Sequence, residues 1–87
     1  EQMVKKLNSE HFLADGRTNI LDLNKLTGIH LPDDESYETI GGFMIFVFGK
    51  IPKKNAEYPY EDWLFKVVEV DEKRVVKVEI TKIKTPK

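Results

Sequence analysis

Three consecutive acidic residues, Asp33, Asp34 and Glu35, form the cluster in this sequence that is best suited to hold a cation. Hard divalent cations prefer clustered carboxylates, so these side chains are candidate metal ligands. Acidic residues also stabilise the positive N-terminal end of a helix, and a helix can follow this segment. The pattern favours the helix-stabilising role and leaves a divalent-cation site as the alternative.

A second candidate site is the sequence Thr39-Ile40-Gly41-Gly42, which stands near a possible helix start. Backbone N–H groups at a helix N-terminus can bind a phosphate, so Thr39, Gly41 and Gly42 are candidate contacts to an adenine nucleotide or FAD. The segment matches neither of the common glycine-rich phosphate loops. Paired glycines also allow another element to approach the backbone closely, and the pattern favours this structural role.

The rest of the sequence argues against an enzyme and against a nucleic-acid binder. The 87 residues include no cysteine, so thiol nucleophiles and cysteine metal sites are excluded. His11 and His30 stand 19 positions apart without neighbouring ligands, and no Ser or Thr has a base at a recognisable spacing. Lys and Arg number 14 against 15 acidic residues, a balance that is unlike nucleic-acid binders. We expect neither catalysis nor a cofactor.

The elements that must position these residues are visible in the pattern of apolar side chains. A strand is predicted over residues 10–15, with Phe12 and Ala14 on one face. A short helix is predicted between Asn19 as N-cap and Gly28 as the residue that ends it. A β-hairpin is predicted over residues 58–70 and 75–83, with a bulge where the apolar phase changes near Val68.

Residues 36–52 leave two structures open. The run Phe43-Met44-Ile45-Phe46-Val47-Phe48 is aromatic and β-branched, which favours a buried strand. Its flanks favour a helix, because Ser36 or Asp34 can cap the start and Gly49 can end it. From the residues alone, helix and strand are equally supported.

Several short motifs occur in an order that resembles one known family. They are Leu13-x-Asp15-Gly16-Arg17, Leu21-Asp22-Leu23-Asn24, Thr39-Ile40-Gly41-Gly42-Phe43, Gly49-Lys50-Ile51-Pro52, Phe65-Lys66-Val67 with Asp71, and Arg74-Val75-x-x-Val78. This series resembles the CorC/HlyC transporter-associated domain from about residue 5 to residue 83. One departure is Asn55, which stands where the family usually has a glycine; Asn tolerates positive φ, so the turn can survive.

The resemblance implies an α+β fold: a small antiparallel sheet with two helices on one face, in the order β-α-α-β-β. It also implies that residues 37–48 are helical. The domain is then expected over residues 9–83, with residues 1–8 as a linker from an upstream region and residues 84–87 as a tail. The fold is similar to part of the FAD-binding domains of some flavin oxidases, a likeness that carries no function.

The resemblance also implies a function and a location. Such domains usually end bacterial membrane proteins of the magnesium/cobalt efflux and hemolysin-like types, after a membrane region and a pair of CBS domains. We therefore expect a non-catalytic regulatory and assembly domain of an ion transporter at the cytosolic face of the inner membrane. Because the chain opens at Glu1, we expect a piece of a longer protein. A nucleotide-sensing or divalent-cation-sensing module is the alternative.

The helix of residues 37–48 gives this expectation a physical basis. It is apolar nearly all round, and one small sheet cannot cover every side of it. We expect Met44, Phe46 and Phe48 to contribute to an interface, with a second copy, the CBS pair or the membrane region as partner. The expected core contains Phe12, Leu23, Leu26, Ile40, Phe43, Val47, Phe65, Val67, Val78 and Ile80.

Overall fold

The structure, a computed structural model, describes residues 3–83; the predicted tail and the first two residues lie outside the described part. Two helices and five strands follow one another in the order β-β-α-α-β-β-β. Their bounds are β1 (Val4–Asn8), β2 (His11–Asp15), α1 (Ile20–Thr27), α2 (Ile40–Phe48), β3 (Glu57–Tyr60), β4 (Trp63–Val70) and β5 (Val75–Lys82).

All five strands form one antiparallel sheet in the order β1-β2-β5-β4-β3. β2 and β5 are therefore central neighbours although 59 residues separate the end of one from the start of the other. The central pairs Phe12–Ile80 and Ala14–Val78 place four buried side chains on the same face. Both helices bury side chains in this core, so the predicted α+β sheet with two helices on one face is confirmed.

The two edge strands were not predicted. β1 lies in the segment assigned to a linker, where only Val4 is partly buried and the remaining four residues are exposed. Such a strand has no alternating apolar pattern, because it only extends the sheet edge. β3 was merged with β4 into one hairpin arm, but a turn at Glu61, with φ of 53°, folds it back against β4.

The caps of α1 follow the sequence closely. The Asn19 Oδ1 accepts the N–H of Leu21 at 2.8 Å, and Gly28 adopts φ of 79° just after the last turn. The prediction that Leu26 is a core residue is wrong, because its side chain is 62% exposed. Each residue advances an α-helix by about 100°, so a residue six positions after Ile20 has rotated about 120° away from it.

The helical alternative for the apolar run is the observed one, although the helix is shorter than predicted. α2 begins at Ile40 and not at residue 37, and Thr39 is its N-cap in place of Ser36 or Asp34. The bulge in the last hairpin is confirmed by a register shift between Val67 and Glu69. Asn55 adopts φ of 74°, the positive φ that its position in the turn was expected to require and that Asn tolerates.

The core is built around Phe65, which lies on β4 between Tyr58 and Ile80 and is fully buried. Nine of the ten expected core residues are buried or pack against the core, Val47 belonging to the second group. Several residues outside the expected set are also buried: Ala14, Ile20, Ile29, Leu31, Tyr37, Met44 and Val75. The loop between the helices therefore contributes as much to the core as α1 does.

Candidate functional site

The N-terminal end of α2 is occupied by contacts within the chain. All four N–H groups of its first residues donate to protein oxygens: Ile40 to Thr18 O, Gly41 to Gly16 O, Gly42 to Thr39 Oγ1, and Phe43 to Thr39 O. These are the donors that a helix start leaves for a phosphate. The geometry therefore gives Thr39, Gly41 and Gly42 a structural part and offers no free donor to a nucleotide.

Gly41 is needed because two backbone segments cross here. A Cβ at Gly41 would lie 2.8 Å from the Gly16 oxygen and 3.1 Å from the Val75 oxygen, and both atoms belong to the main chain. Those distances are shorter than ordinary carbon–oxygen contacts, so only glycine allows α2 to approach the turn after β2. At Gly42 the nearest atom would be Thr39 Oγ1 at 3.3 Å, a contact with a side chain.

The nine residues of α2 include no polar side chain, and its sides differ in how they are covered. Met44 is fully buried, so its assignment to an interface is corrected: no partner can reach it without opening the core. Phe48 is half-buried against Tyr58, with ring centroids 6.2 Å apart. Phe46 is 53% exposed, and Ile45 beside it is partly exposed. We call Ile45 and Phe46 the Phe46 surface.

The side chain of Tyr37 packs between the buried Phe43 and the exposed Phe46. Its buried ring lies 5.3 Å from that of Phe46 and 5.1 Å from that of Phe43. Its hydroxyl donates to the Pro32 oxygen, which fixes the loop before α2. Burial raises the pKa of Tyr37, and the nearby Asp34 carboxylate raises it further. Sequence analysis did not find Tyr37, whose position next to a predicted helix start gave no periodic pattern.

The acidic loop, defined as residues 33–38, borders the Phe46 surface through Tyr37. Asp33, Asp34 and Glu35 are exposed and, with Glu38, line an open cavity of about 490 Å³. The backbone N–H of Ser36 donates to Asp34 Oδ1 at 2.8 Å and holds the pKa of that carboxyl below its usual value. Within residues 3–83 no three His, Cys, Asp or Glu side chains converge closely enough to hold a metal ion. The structure therefore does not assemble the predicted cation site.

The opposite end of α2 carries positive charge. Gly49 ends the helix with φ of 74°, and the exposed residues Lys50, Lys53 and Lys54 follow it. We call residues 50–54 the basic loop. Residues 29–48 contain four acidic residues and no Lys or Arg. α2 therefore joins a negative segment at one end to a positive segment at the other.

Other charged contacts lie away from this site. His11 Nε2 and Glu79 Oε2 are 2.8 Å apart on the sheet face that the helices leave open. Asp15 Oδ1 accepts the side-chain Nε–H of Arg17 at 3.1 Å and the backbone N–H of Arg17 at 2.9 Å, and these two bonds hold the pKa of Asp15 below its usual value. These pairs fix turns and strands and do not converge with the acidic loop. In the described residues, neither helix is long and apolar enough to cross a bilayer.

The fold and the sequence agree with one family. The family model described as transporter-associated domain, CorC_HlyC, matches residues 5–84. The chain belongs to the CorC/HlyC transporter-associated domain family. The transporter-associated domain from Nitrosomonas europaea superposes with a TM-score of 0.86, covers 94% of this chain and 98% of its own, and is 25% identical. The predicted membership is confirmed.

Three relatives of known name are much longer than this chain. The polyamine export protein of Escherichia coli strain K12 is 34% identical over 95% of this chain and 19% of its own length. Hemolysin C of Brachyspira hyodysenteriae is 35% identical over 97% of this chain and 31% of its own. The magnesium and cobalt efflux protein CorC of Pasteurella multocida is 32% identical over 90% of this chain and 26% of its own. The chain thus spans about a fifth to a third of these relatives.

Proposed function

We propose that this domain is a non-catalytic regulatory and assembly domain of a bacterial cation transporter. The observation that carries the proposal is the variety of cargo in the names of its relatives. One is named for export of polyamines, which are organic polycations, and another for efflux of magnesium and cobalt ions. A domain that accompanies chemically different cargoes is poorly suited to select among them, so it acts on a step that they share.

The Phe46 surface supplies a physical means for this action. A regulatory domain must contact another part of the protein, and it needs differential contacts in two states to shift an equilibrium. An aromatic ring left half in water forgoes stabilisation that a partner surface would recover. The acidic loop before α2 and the basic loop after it add charge that would orient the partner. In this proposal the domain lies at the cytosolic face of the membrane, next to the CBS pair of its own polypeptide.

The proposal is tested in the full-length parent transporter, with cation efflux from loaded cells as the assay. Phe46→Glu removes the exposed ring and adds a charge beside the acidic loop, so we expect the efflux rate to change. Leu26→Glu is the matched control, since Leu26 is also exposed but lies on α1. We expect that control to transport like the wild type.

The decisive comparison is between rate and selectivity. If the domain regulates a shared step, Phe46→Glu changes the efflux rates of Mg²⁺, Co²⁺ and a polyamine by the same factor, wherever the parent moves more than one of them. A change in the ratio of these rates would show that the domain takes part in cargo recognition. If Phe46→Glu leaves the efflux rate of every cargo unchanged, the Phe46 surface has no part in transport.

A further inference from the structure

The side of α2 that points away from the core is only partly covered within the described residues, where the Tyr37 ring lies 5.3 Å from that of Phe46. Phe46 is half exposed there, and the helix has no polar side chain that would make this side suited to water. A helix that is apolar all round is normally buried on all sides. The chain itself buries one side against the sheet and leaves the Phe46 surface open.

The charges at the two ends of α2 indicate which binding partner would be complementary to the Phe46 surface. The acidic loop precedes the helix and the basic loop follows it. If a second copy of the domain packs its own α2 antiparallel on the first, each acidic loop meets the basic loop of the other copy. A two-fold axis through the centre of the helix pair generates both contacts at once, because an isologous interface repeats every contact twice.

From these observations we propose that the Phe46 surface binds a second copy of this domain, with the two α2 helices antiparallel. This deepens the proposed function, on which it rests, by naming the partner of the surface. A parallel arrangement would place the two acidic loops together and is disfavoured by their repulsion. The net charge of −1 is close to zero, so the domains do not repel one another as wholes.

The size of the domain is adequate for such a pair. A specific interface needs about 600 Å² from each partner, which is roughly a tenth of the 5983 Å² surface of the domain. α2 is about 13 Å long, given nine residues at about 1.5 Å each, and the flanking loops extend the contact at both ends. An interface near this lower limit is weak, so we expect association that depends on concentration.

The first experiment measures the mass of the isolated domain by analytical ultracentrifugation over a wide range of concentration. The N. europaea relative, of which this chain covers 98%, shows that the domain folds without the remainder of its protein. We expect a monomer–dimer equilibrium that weakens with salt. Phe46→Glu should raise the dissociation constant at least about tenfold, because the ring loses its burial and a charge is added. Leu26→Glu should leave it unchanged.

The second experiment tests the antiparallel arrangement by exchanging charges. One variant carries Asp33→Lys, Glu35→Lys and Glu38→Lys, and the other carries Lys50→Glu, Lys53→Glu and Lys54→Glu. All six positions are exposed, and circular dichroism is used to check that each variant keeps its fold. Each variant alone should be monomeric, because both of its loops then have the same sign. Their mixture should form a heterodimer, because each acidic contact then meets a basic one.

The outcomes separate this inference from the function on which it rests. A domain that stays monomeric at every concentration, a mixture that does not associate, or growth beyond a dimer would each overturn the two-fold pair. If the domain is monomeric while Phe46→Glu still alters efflux in the full-length protein, the surface binds another part of that protein. The homotypic inference then fails and the proposed function stands.

Discussion

Gly41 and Gly42 are neighbours in the sequence, but the structure gives them opposite sensitivities to the same substitution. A Cβ at Gly41 would meet two main-chain oxygens, those of Gly16 at 2.8 Å and Val75 at 3.1 Å. Main-chain atoms of a turn and a central strand can move only if α2 moves away from them. A Cβ at Gly42 would meet Thr39 Oγ1 at 3.3 Å, and a side-chain hydroxyl can shift by the few tenths of an ångström that are needed.

The magnitudes follow from two opposing effects. Alanine is favoured over glycine in a helix by about 1 kcal/mol, a little less in the first turn. Overpacking against a fixed backbone costs about 1–3 kcal/mol, and at Gly41 it also lengthens the 2.9 Å hydrogen bond to Gly16. We therefore expect Gly41→Ala to lower the free energy of unfolding by about 1–2 kcal/mol. Gly42→Ala should leave it unchanged within about 0.5 kcal/mol or raise it slightly.

Thermal unfolding followed by circular dichroism at low protein concentration measures this difference without a contribution from self-association. About 1 kcal/mol corresponds to roughly 4–8 °C in a domain of this size, so Gly41→Ala should melt about 5–15 °C below the wild type. Gly42→Ala should melt within a few degrees of it. Equal losses in both variants, or an unchanged Gly41→Ala, would refute the packing argument and reopen a ligand-binding role for the pair.

Three further predictions concern the core, the pH dependence and ligands. Phe65→Ala should cost about 3–5 kcal/mol out of a total of roughly 4–13, so its urea midpoint should fall steeply; a small change would show that Phe65 is not the centre of the core. Asp15→Asn should lower the melting temperature at pH 7 by a few degrees, since its N–H partners stabilise the carboxylate. Because its folded pKa is lowered, this stability is present above the ordinary value of 3.8 and is lost as the pH falls through the folded pKa, so the two melting curves should converge in acid. An adenine nucleotide, FAD or Mg²⁺ should not raise the melting temperature; a rise that saturates with ligand would contradict the structural role of Gly41 and of the acidic loop.

Local chemistry determined much of this fold from the sequence alone. Asn19 and Gly28 delimit α1 because a cap is a property of two or three neighbouring residues. The alternation of Val78 and Ile80 with charged residues predicted the phase of β5 in the same way. The order of short motifs predicted the family and, with it, the helical state of α2. None of these conclusions required knowledge of which helices and strands pack against one another.

The tertiary structure decided which sides of the elements are covered. In α2 every side chain is apolar, so no periodicity distinguishes buried Met44 from exposed Phe46; only the position of the sheet does. The spacing of Ile20, Leu23 and Leu26 predicted one buried helical face. In the structure α1 packs on the core through Ile20 and Leu23, about one turn, and Leu26 points away from the core. β1 was also decided by the tertiary structure. A strand that only extends the edge of a sheet is defined by its hydrogen bonds to the neighbouring strand, here β2, and not by its own side chains. Burial is a relation between distant segments, and for that reason these three outcomes depended on the fold and not on the residues themselves.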